Sequence, residues 1–482
     1  IRSGTQVTAT VIAAANRLKI LGRAGVGVDN VDVPAAAQRG VLVVNSPEGN
    51  TIAAAEHALA MMLSLSRHVP QANAGMRAGK WDRKKYVGNE LYKKTLGVVG
   101  LGKIGSHVAK VAQAMGMDVI AYDPFIAADR AKQMQVKLIE LDELFRTADY
   151  VTLHIPRTKD TENLVNADLL RTMKPTARIV NCARGGVVDE AAISEAINQG
   201  VIAGAGLDVY ASEPLAEDSP LRAVERGLVL TSHLGASTEE AQENVAIDVA
   251  EQIRDVLLGL PARSAVNIPG LSAEIMERLK PHLQLSETVG LLVSQLAGGH
   301  VKEMELRLQG EFASHPSQPL VIAALKGLLS AALGDSINFV NASLEAKARG
   351  IQVLEVKDES SRDFAGGSLQ ITTRGDQGDR CVTGAVFADG ELRITSIDEF
   401  PVNVSPSRHM LFTRHRDMPG IIGHLGSMMG EHNVNIASMQ VGRKIVRGDA
   451  VMVLSIDDPI PADLLQKITA IDGIQEAHPV TL

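Results

Sequence analysis

The sequence has 482 residues, of which 45% are apolar and 22% are charged, the balance of an ordinary chain that buries sizeable cores. This length predicts roughly three or four domains. The net charge of −8 gives no reason to expect nucleic acid or an anionic membrane as a partner, and we find no apolar run of membrane-spanning length.

The cysteine content bears on the compartment. Two cysteines, Cys182 and Cys381, cannot form a disulfide framework for so long a chain, which indicates a reducing compartment and a cytoplasmic location. A plastid is the alternative if a transit peptide has been removed before Ile1. The first residue is not methionine, and we expect that an N-terminal segment precedes it.

The first 47 residues alternate helix and strand signals, with strands predicted at 20–23 and 41–44. Between these strands, the stretch GRAGVGVDNVD places Gly25 and Gly27 around Val26, so that open N–H groups would hold an anion. A tight turn between strand and helix explains the same residues equally well.

Residues 95–123 show the pattern of a dinucleotide site. Gly100, Gly102 and Gly105 follow a short apolar strand in the spacing G-x-G-x-x-G and open a helical pattern. The first glycine permits a tight turn, the second admits a pyrophosphate, and the third lets helix and strand pack closely. The next strand ends in Asp123, where a carboxylate would meet the ribose hydroxyls. The glycines alone are a weak signal, but this context predicts NAD binding.

The βα alternation continues to residue 231, which predicts an α/β fold with a Rossmann-type doubly wound parallel sheet. Arg184, Glu213 and His233 come just past the ends of three predicted strands, at the edge where open α/β sheets bind ligands. Each has an ordinary explanation, as a surface cation, a loop acid before Pro214 and a loop histidine. Their convergence on one sheet edge beside a nicotinamide favours a catalytic role.

These residue types suit hydride transfer between a nicotinamide and a 2-hydroxy acid. His233 can exchange the hydroxyl proton, because histidine titrates near the working pH. Glu213 would orient the ring, and Arg184 would hold the substrate carboxylate with two parallel hydrogen bonds.

The stretches GRAGVGVDNVD, GLGKIG with Asp123, NCARGGVVDE and HLGAST resemble the D-2-hydroxyacid dehydrogenase family, and the resemblance runs from Ile1 to Leu482. It implies that Arg184 binds substrate and that Glu213 and His233 form the acid/base relay, with no metal. The substrate residues it implies are Arg2, Gly25, Val26, Gly27, Asn50, Arg184 and His233. The implied NAD contacts are Thr5, Gly100, Gly102, Lys103, Ile104, Gly105, Asp123, Cys182, Ala183, Arg184, Asp208, His233, Gly235 and Ala236.

The whole chain resembles long-form members of this family, which implies NAD-dependent oxidation of 3-phosphoglycerate to 3-phosphohydroxypyruvate for serine biosynthesis. We expect a flavodoxin-like substrate domain that lacks its first βα unit, a Rossmann-type NAD-binding domain and two α+β regulatory domains. Their expected bounds are 1–47 with 238–266, then 48–237, 267–402 and 406–482. Pro261 and the stretch 267–270 mark a linker.

The last segment, 406–482, is predicted to be β-α-β-β-α-β, the order of a ferredoxin-like domain. RDMPGIIGHLG and HNVNIA resemble an ACT domain, which binds amino-acid effectors between paired copies. The resemblance implies that L-serine binds at His415, Asp417 and Asn435 in a homo-oligomer, a tetramer or a dimer. An alternative is that Asp417 merely caps the helix that opens at Pro419. The ligand of the 267–402 domain is not predicted.

Two other functions are compatible with the motifs. A glyoxylate or hydroxypyruvate reductase would share the catalytic trio, but the C-terminal domains argue against a simple reductase. A nucleotide-sensing interaction protein on the same fold would be favoured by partner-binding tails, and we find none.

Overall fold

The computed structural model describes residues 1–260, 262–268, 273–359 and 367–482. Pro261, Pro269 and Gly270, which belong to the predicted linker, lie outside the described residues.

The first lobe is a small βα unit. Its elements are α1 (Ala9–Ala14), β1 (Ile20–Arg23), α2 (Val33–Gln38) and β2 (Leu42–Asn45). The two strands pair in parallel, and bridges join Val7 to Val31 and Val44 to Ala265. The predicted βα alternation is present, but the flavodoxin-like character of this lobe depends on only two strands among the described residues.

The second lobe contains the parallel sheet. Its elements are α3 (Thr51–Arg67), α4 (Val69–Arg77), β3 (Thr95–Val99), α5 (Lys103–Ala114), β4 (Asp118–Tyr122), α6 (Ala128–Gln133), β5 (Lys137–Leu138), α7 (Leu141–Thr147), β6 (Tyr150–Leu153), α8 (Ala167–Arg171), β7 (Arg178–Asn181), α9 (Glu190–Asn198), β8 (Gly204–Leu207) and β9 (Leu228–Leu230). The strand order is β5-β4-β3-β6-β7-β8-β9, and every pairing is parallel. The Rossmann-type prediction is therefore confirmed. Strands β6, β7 and β8 are buried along their whole length, as a sheet covered by helices on both faces requires.

Helix α10 (Glu239–Leu257) leaves the second lobe and returns to the first, where it packs against β1. Gly22 of β1 makes this approach possible, because a side chain there would overlap Val249 and Ile253 of the helix. The predicted domain bounds at 47 and 238 remain a proposal.

The third unit is α+β. Its elements are α11 (Ala273–Ala297), β10 (Val301–Gln309), α12 (Ser317–Leu333), α13 (Ala342–Ala348), β11 (Gln352–Asp358), β12 (Ser368–Gly375), β13 (Gly378–Val386), β14 (Leu392–Ile397) and β15 (Phe400–Val404). The strands form one sheet in the order β11-β10-β12-β13-β14-β15. Helices α11 and α12 pack closely because Gly290 and Gly327 leave room for the opposite backbone.

Helix α12 corrects one expectation from the sequence. Together with the turn that follows it, over Ser317–Ser336, it is long and apolar enough to cross a membrane by length and composition. Leu320, Ala323 and Leu328 nevertheless lie in the core that the helix shares with α11. The helix thus has the packing of a core helix.

The last unit has the predicted ferredoxin-like fold, with α14 (Ile421–Glu431) and α15 (Ala462–Thr469) on one face of a sheet. The strands are β16 (His409–Arg416), β17 (Ile436–Arg443), β18 (Asp449–Ile456) and β19 (Ile474–Thr481), in the order β17-β18-β16-β19. Leu411, Met452 and Leu454 face the two helices. The ACT prediction for the fold of this unit is confirmed.

The opposite face of this sheet is also buried. Phe412, Val451 and Val453 belong to the same hydrophobic cluster as α11 and the six-stranded sheet. Ion pairs lie at the edge of this interface between the third and the last unit: Arg380 binds both Asp398 and Glu476. The third and the last unit therefore share one continuous core.

We expect Phe412→Ala to lower the free energy of unfolding of the third and last units by about 3–5 kcal/mol, because Phe412 is 1% exposed in the core that they share. Phe387→Ala, at a position 41% exposed, is the matched control and should change it by less than about 0.5 kcal/mol. Denaturant midpoints of the two variants make the comparison. Equal midpoints would contradict a shared core.

Candidate active site

The turn between β3 and α5 has the geometry of a pyrophosphate site. Gly100 has φ +94°, a conformation that favours glycine, and a side chain on Gly105 would overlap the carbonyl oxygen of Gly100. A side chain on Gly102, by contrast, would meet no protein atom within 4 Å. Gly102 is the N-cap of α5, so the open space lies where helix N–H groups attract phosphate. The residues present therefore fit a dinucleotide.

Asp123, at the end of β4, is tied to the same turn. Its carboxylate accepts hydrogen bonds from the N–H of Leu101 at 2.8 Å and of Phe125 at 2.9 Å. Lys103, the first residue of α5, forms an ion pair with Glu48 and lowers the pKa of that carboxyl. Ile104 packs against the core beneath the turn.

His154 was missed by the sequence reasoning. It follows β6, and its carbonyl group packs against Gly100. Burial lowers the pKa of His154 to about 4, so the ring is neutral at pH 7 and adds no charge to the cofactor cleft.

His233 and Glu213 form a direct pair at the carboxyl edge of the sheet. Nδ1 of His233 lies 2.7 Å from Oε2 of Glu213, and the other carboxylate oxygen accepts from the N–H of Tyr210 at 3.1 Å. The two side chains are 48% and 37% exposed, so a substrate can reach the free Nε2 of the ring. This is the arrangement of a base held by an orienting carboxylate.

Arg184 lies on the neighbouring loop. The amide of Asn181 fixes that loop, accepting from Ala183 N–H at 3.1 Å and donating to the carbonyl of Arg184 at 3.0 Å. A side chain at Gly185 would overlap the carbonyl of Tyr210, so this loop and the Glu213 loop touch. Nε of Arg184 lies 3.5 Å from Oδ2 of Asp29, which belongs to the first lobe. Arg184 therefore reaches across the cleft.

The glycine pair of the first lobe faces Arg184. A side chain at Gly27 would touch the guanidinium of Arg184, and Gly25 has φ +136°. Asn45 supports the turn from below, donating to the carbonyl of Val26 at 2.7 Å. Among the described residues, the N–H groups of Gly25, Val26 and Gly27 have no hydrogen-bond partner. They are open to an anion, as a nest would be.

Arg23 is a second cation that the sequence reasoning missed. It ends β1, and its guanidinium lies against Gly25 and donates to the carbonyl of Ala24 at 2.9 Å. Burial, the charge of Arg184 and that of Arg2 lower the pKa of Arg23, while Asp29 opposes them. Its position at the carboxyl end of a parallel strand was the signal available in the sequence.

Three predicted residues lie at the edge of this group. Arg2 donates to Oε1 of Gln242 at 3.2 Å on the exposed side of the first lobe. Thr5 is exposed, and its carbonyl accepts from the Asn30 amide at 2.6 Å. Oδ1 of Asn50 is buried and has no partner among the described residues. Their ligand contacts remain predictions.

Asp208 holds the loop that carries His233. Its carboxylate accepts from the N–H of Leu234 at 2.7 Å and of Gly235 at 2.9 Å, and its carbonyl accepts from the N–H of His233 at 2.8 Å. Gly235 is buried, and Ala236 beside it is half-buried.

Ligand atoms of His57, Cys182 and Asp208 lie within 4.8 Å of one another, a spacing that a metal ion could use. The oxygens of Asp208 already accept several hydrogen bonds, and burial followed by the charge of Asp208 raises the pKa of Cys182. A neutral thiol is a poor ligand, so the cluster does not suit a metal.

The predicted effector residues do not converge within one chain. Register pairs His415 with Ala450 and Arg443 with Ala450, whereas Ile436 pairs with Ile456 at the other end of the sheet. Asp417 lies beside Gly448 and Asn435 beside Asp457, so the two residues are about 30 Å apart, given a rise of roughly 3.3 Å per residue.

Asp417 is not the cap of α14. The helix begins at Ile421 with Gly420 as its N-cap, so the capping alternative is wrong. Asp417 instead accepts from Arg447 N–H at 3.1 Å and from the Arg443 guanidinium at 2.9 Å, and both hold its pKa below the ordinary value. His415 is 2% exposed, and burial lowers its pKa.

Family models match three parts of the chain. They are the "D-isomer specific 2-hydroxyacid dehydrogenase, NAD binding domain" at residues 59–235, the "D-3-phosphoglycerate dehydrogenase intervening domain" at 278–398 and the "ACT domain" at 409–473.

Similar proteins extend these matches to the whole chain. A D-3-phosphoglycerate dehydrogenase of Synechocystis sp. is 62% identical over 483 residues, with 100% of this chain and 87% of that protein covered. One from Archaeoglobus fulgidus is 44% identical, with 100% and 91% covered. Among solved structures, the TT0316 protein of Thermus thermophilus aligns with a TM-score of 0.51 and 36% identity over 55% of this chain and 84% of that chain.

The glycine turn leads to a discriminating prediction. Gly102→Ala should weaken NAD binding at least about tenfold and leave the melting temperature unchanged, because the added methyl meets only the space for the pyrophosphate. Gly105→Ala should instead cost about 1–3 kcal/mol of stability, because its methyl overlaps Gly100. Calorimetry with NAD and thermal melts of both variants separate these effects. Unchanged NAD affinity in Gly102→Ala would contradict the assigned cofactor position.

Proposed function

The chain belongs to the D-3-phosphoglycerate dehydrogenase family. We propose that it oxidises 3-phospho-D-glycerate to 3-phosphohydroxypyruvate with NAD as the oxidant, and that the residues which catalyse this reaction are Arg184, Glu213 and His233. The glycine turn and Asp123 hold the cofactor. The carboxylate of Asp123 repels a 2′-phosphate, which favours NAD over NADP. The full-length matches do not favour a simple reductase or a nucleotide-sensing protein.

The protein residues manage the proton and the charge. NAD, when bound, accepts the hydride from C2 of the substrate. His233 removes the hydroxyl proton, and Glu213 stabilises the protonated ring through the 2.7 Å contact. Arg184 holds the carboxylate next to C2 and polarises the carbonyl that forms there.

The arginines around the nest are the observation that carries the substrate assignment. Arg23 lies half-buried among the positive charges of Arg184 and Arg2, beside the open N–H groups at Gly25 to Gly27. One arginine is enough for a monocarboxylate such as glyoxylate. Further cations match a substrate that carries a phosphate as well as a carboxylate.

Steady-state kinetics on a panel of 2-hydroxy and 2-oxo acids test this assignment. We expect the highest kcat/KM for 3-phosphoglycerate among the hydroxy acids and for 3-phosphohydroxypyruvate among the oxo acids. A higher kcat/KM for glyoxylate or unphosphorylated hydroxypyruvate would favour the reductase.

The catalytic roles make a quantitative prediction. His233→Ala should lower kcat by about 10²–10⁴ while NAD binding stays nearly intact, because the variant loses only its proton acceptor. Glu213→Gln should cost less, since the imidazole remains. His107→Ala, a half-buried histidine on α5, is the control. A near-normal kcat in His233→Ala would rule out this mechanism.

We also propose that L-serine is the amino-acid effector of the ACT domain, as the end-product of a pathway that begins with this reaction. Asp417 can bind the ammonium group, and Asn435 can bind the carboxylate. Since about 30 Å separates them in one chain, as judged from the strand register, a single serine would need Asp417 of one copy and Asn435 of another. This supports a homo-oligomer, a dimer or a tetramer, and inhibition through a change of state.

Calorimetry with L-serine tests the shared site. Asp417→Ala and Asn435→Ala should each abolish binding, whereas Asp458→Ala, an exposed aspartate of the same domain, should not. Co-expressed Asp417→Ala and Asn435→Ala chains should regain part of the binding, because a mixed pair contains one intact site. Binding to neither the wild type nor the mixture would refute the proposal.

We further infer a cytoplasmic location, which is supported by the free thiols of Cys182 and Cys381.

A further inference from the structure

His57 is a half-buried histidine of α3 whose ring contacts the residues that follow β8 and β9. Its Nε2 lies 3.1 Å from Oδ1 of Asp208 and 3.1 Å from Oγ1 of Thr231. Thr231 donates to the same carboxylate oxygen at 2.6 Å. Since the threonine uses its proton for Asp208, the Thr231 oxygen and the carboxylate oxygen both face Nε2 of His57 as acceptors, so Nε2 carries the proton and donates between them.

Asp208 is fully buried, and its charge needs a partner. Burial by itself would raise the pKa of Asp208, but hydrogen bonds from His57, Thr231 and Leu234 N–H hold it below the ordinary value. Among the described residues, His57 is the one basic side chain within ion-pair distance of Asp208.

The other titratable groups that face Asp208 are neutral. Burial and the charge of Asp208 raise the pKa of Cys182, and they raise that of Tyr210 to about 12. Neither group carries a positive charge, and among the described residues the side-chain contacts to the carboxylate oxygen come from Thr231 and His57.

The loop that Asp208 holds is strained at the catalytic residue. His233 has φ +56°, a left-handed conformation that is unfavourable for a residue other than glycine. Asp208 opposes this strain through its bonds to the N–H groups of His233, Leu234 and Gly235. The bond to His233 comes from the backbone carbonyl, but the bonds to Leu234 and Gly235 come from the carboxylate, so the loop that places the His233 ring is held most firmly when Asp208 is ionised.

We propose that His57 is a positioning residue for hydride transfer: it donates to Asp208, which fixes the strained loop carrying His233. The inference rests on the proposed function for its kinetic readout. His57 and Asp208 do not touch the substrate in this proposal. The buried carboxylate of Asp208 links α3 to the loop that carries His233.

Two substitutions of His57 test this role. His57→Leu keeps the volume but removes the donor, and His57→Gln keeps an N–H donor without the ring. We expect kcat of His57→Leu to fall about 10–100-fold, because a small displacement of the His233 ring has effects of this order. His57→Gln should recover much of the loss.

The pH profile separates positioning from general loss of stability. Without the His57 donor, Asp208 binds a proton at higher pH, so the acid limb of kcat should move to higher pH in His57→Leu and return toward the wild type in His57→Gln. Ser66→Ala is the matched control, because Ser66 is a buried polar residue of the same helix, bonded to Tyr150. It should lower the melting temperature and leave the acid limb in place.

The outcomes are distinct. If His57→Leu has a lower melting temperature and a lower kcat but an acid limb at the same pH as the wild type, it behaves like the control Ser66→Ala. In that case, the positioning role is wrong. If the wild type fails to oxidise 3-phosphoglycerate, the proposed function fails instead. In that case, the His57 proposal is judged on the best substrate of the panel, with the same variants and pH range.

Discussion

Parallel strands must present their carboxyl ends to the same edge of a sheet, and the chemistry of this chain depends on that constraint. The ends of β3, β7, β8 and β9 place the glycine turn, Arg184, Glu213 and His233 side by side, although they are far apart in sequence. The first lobe obeys the same rule, since Arg23 ends β1 and the nest follows it. Two sets of strand ends thus face one cleft, and the Arg184–Asp29 contact spans it.

Charge is distributed unevenly about the cleft. On the substrate side, Arg23 and Arg184 repel each other, and Asp29 only partly offsets this repulsion. Behind the catalytic histidine lies a buried anion, Asp208, surrounded by donors. An anionic substrate would reduce the repulsion between Arg23 and Arg184. The carboxylate of Asp208, by contrast, already has its hydrogen-bond donors within the protein. In the proposed reaction, charge would therefore select the ligand on one side, while the hydrogen bonds of Asp208 hold the loop that carries His233 on the other.

Local patterns in the sequence were sufficient for much of this architecture. The Rossmann sheet, the ferredoxin-like order and the pairing of Glu213 with His233 all follow from spacing within short segments. Arg23 and His57 were missed because their roles depend on distant partners: His57 meets Thr231 across 174 positions of sequence. Strands β11 and β15 were missed as well, since β11 has no fully buried residue and β15 contains Pro401.

The effector residues show a different limit. Motif resemblance brought His415, Asp417 and Asn435 together as one set, but antiparallel register places Asn435 at the far end of the sheet. Register is a property of strand pairing, and no short motif encodes it.

The two central strands of the ACT sheet, β16 and β18, are covered on both faces, by the helices of their own domain on one side and by the intervening domain on the other. Gly442 of β17 even lies against the backbone of Pro401 in β15, where a side chain would not fit. Gene recombination that cut the chain between Val404 and His409 would leave two apolar surfaces bare. In this chain, the two domains would therefore have to be exchanged as a pair for both apolar surfaces to stay covered.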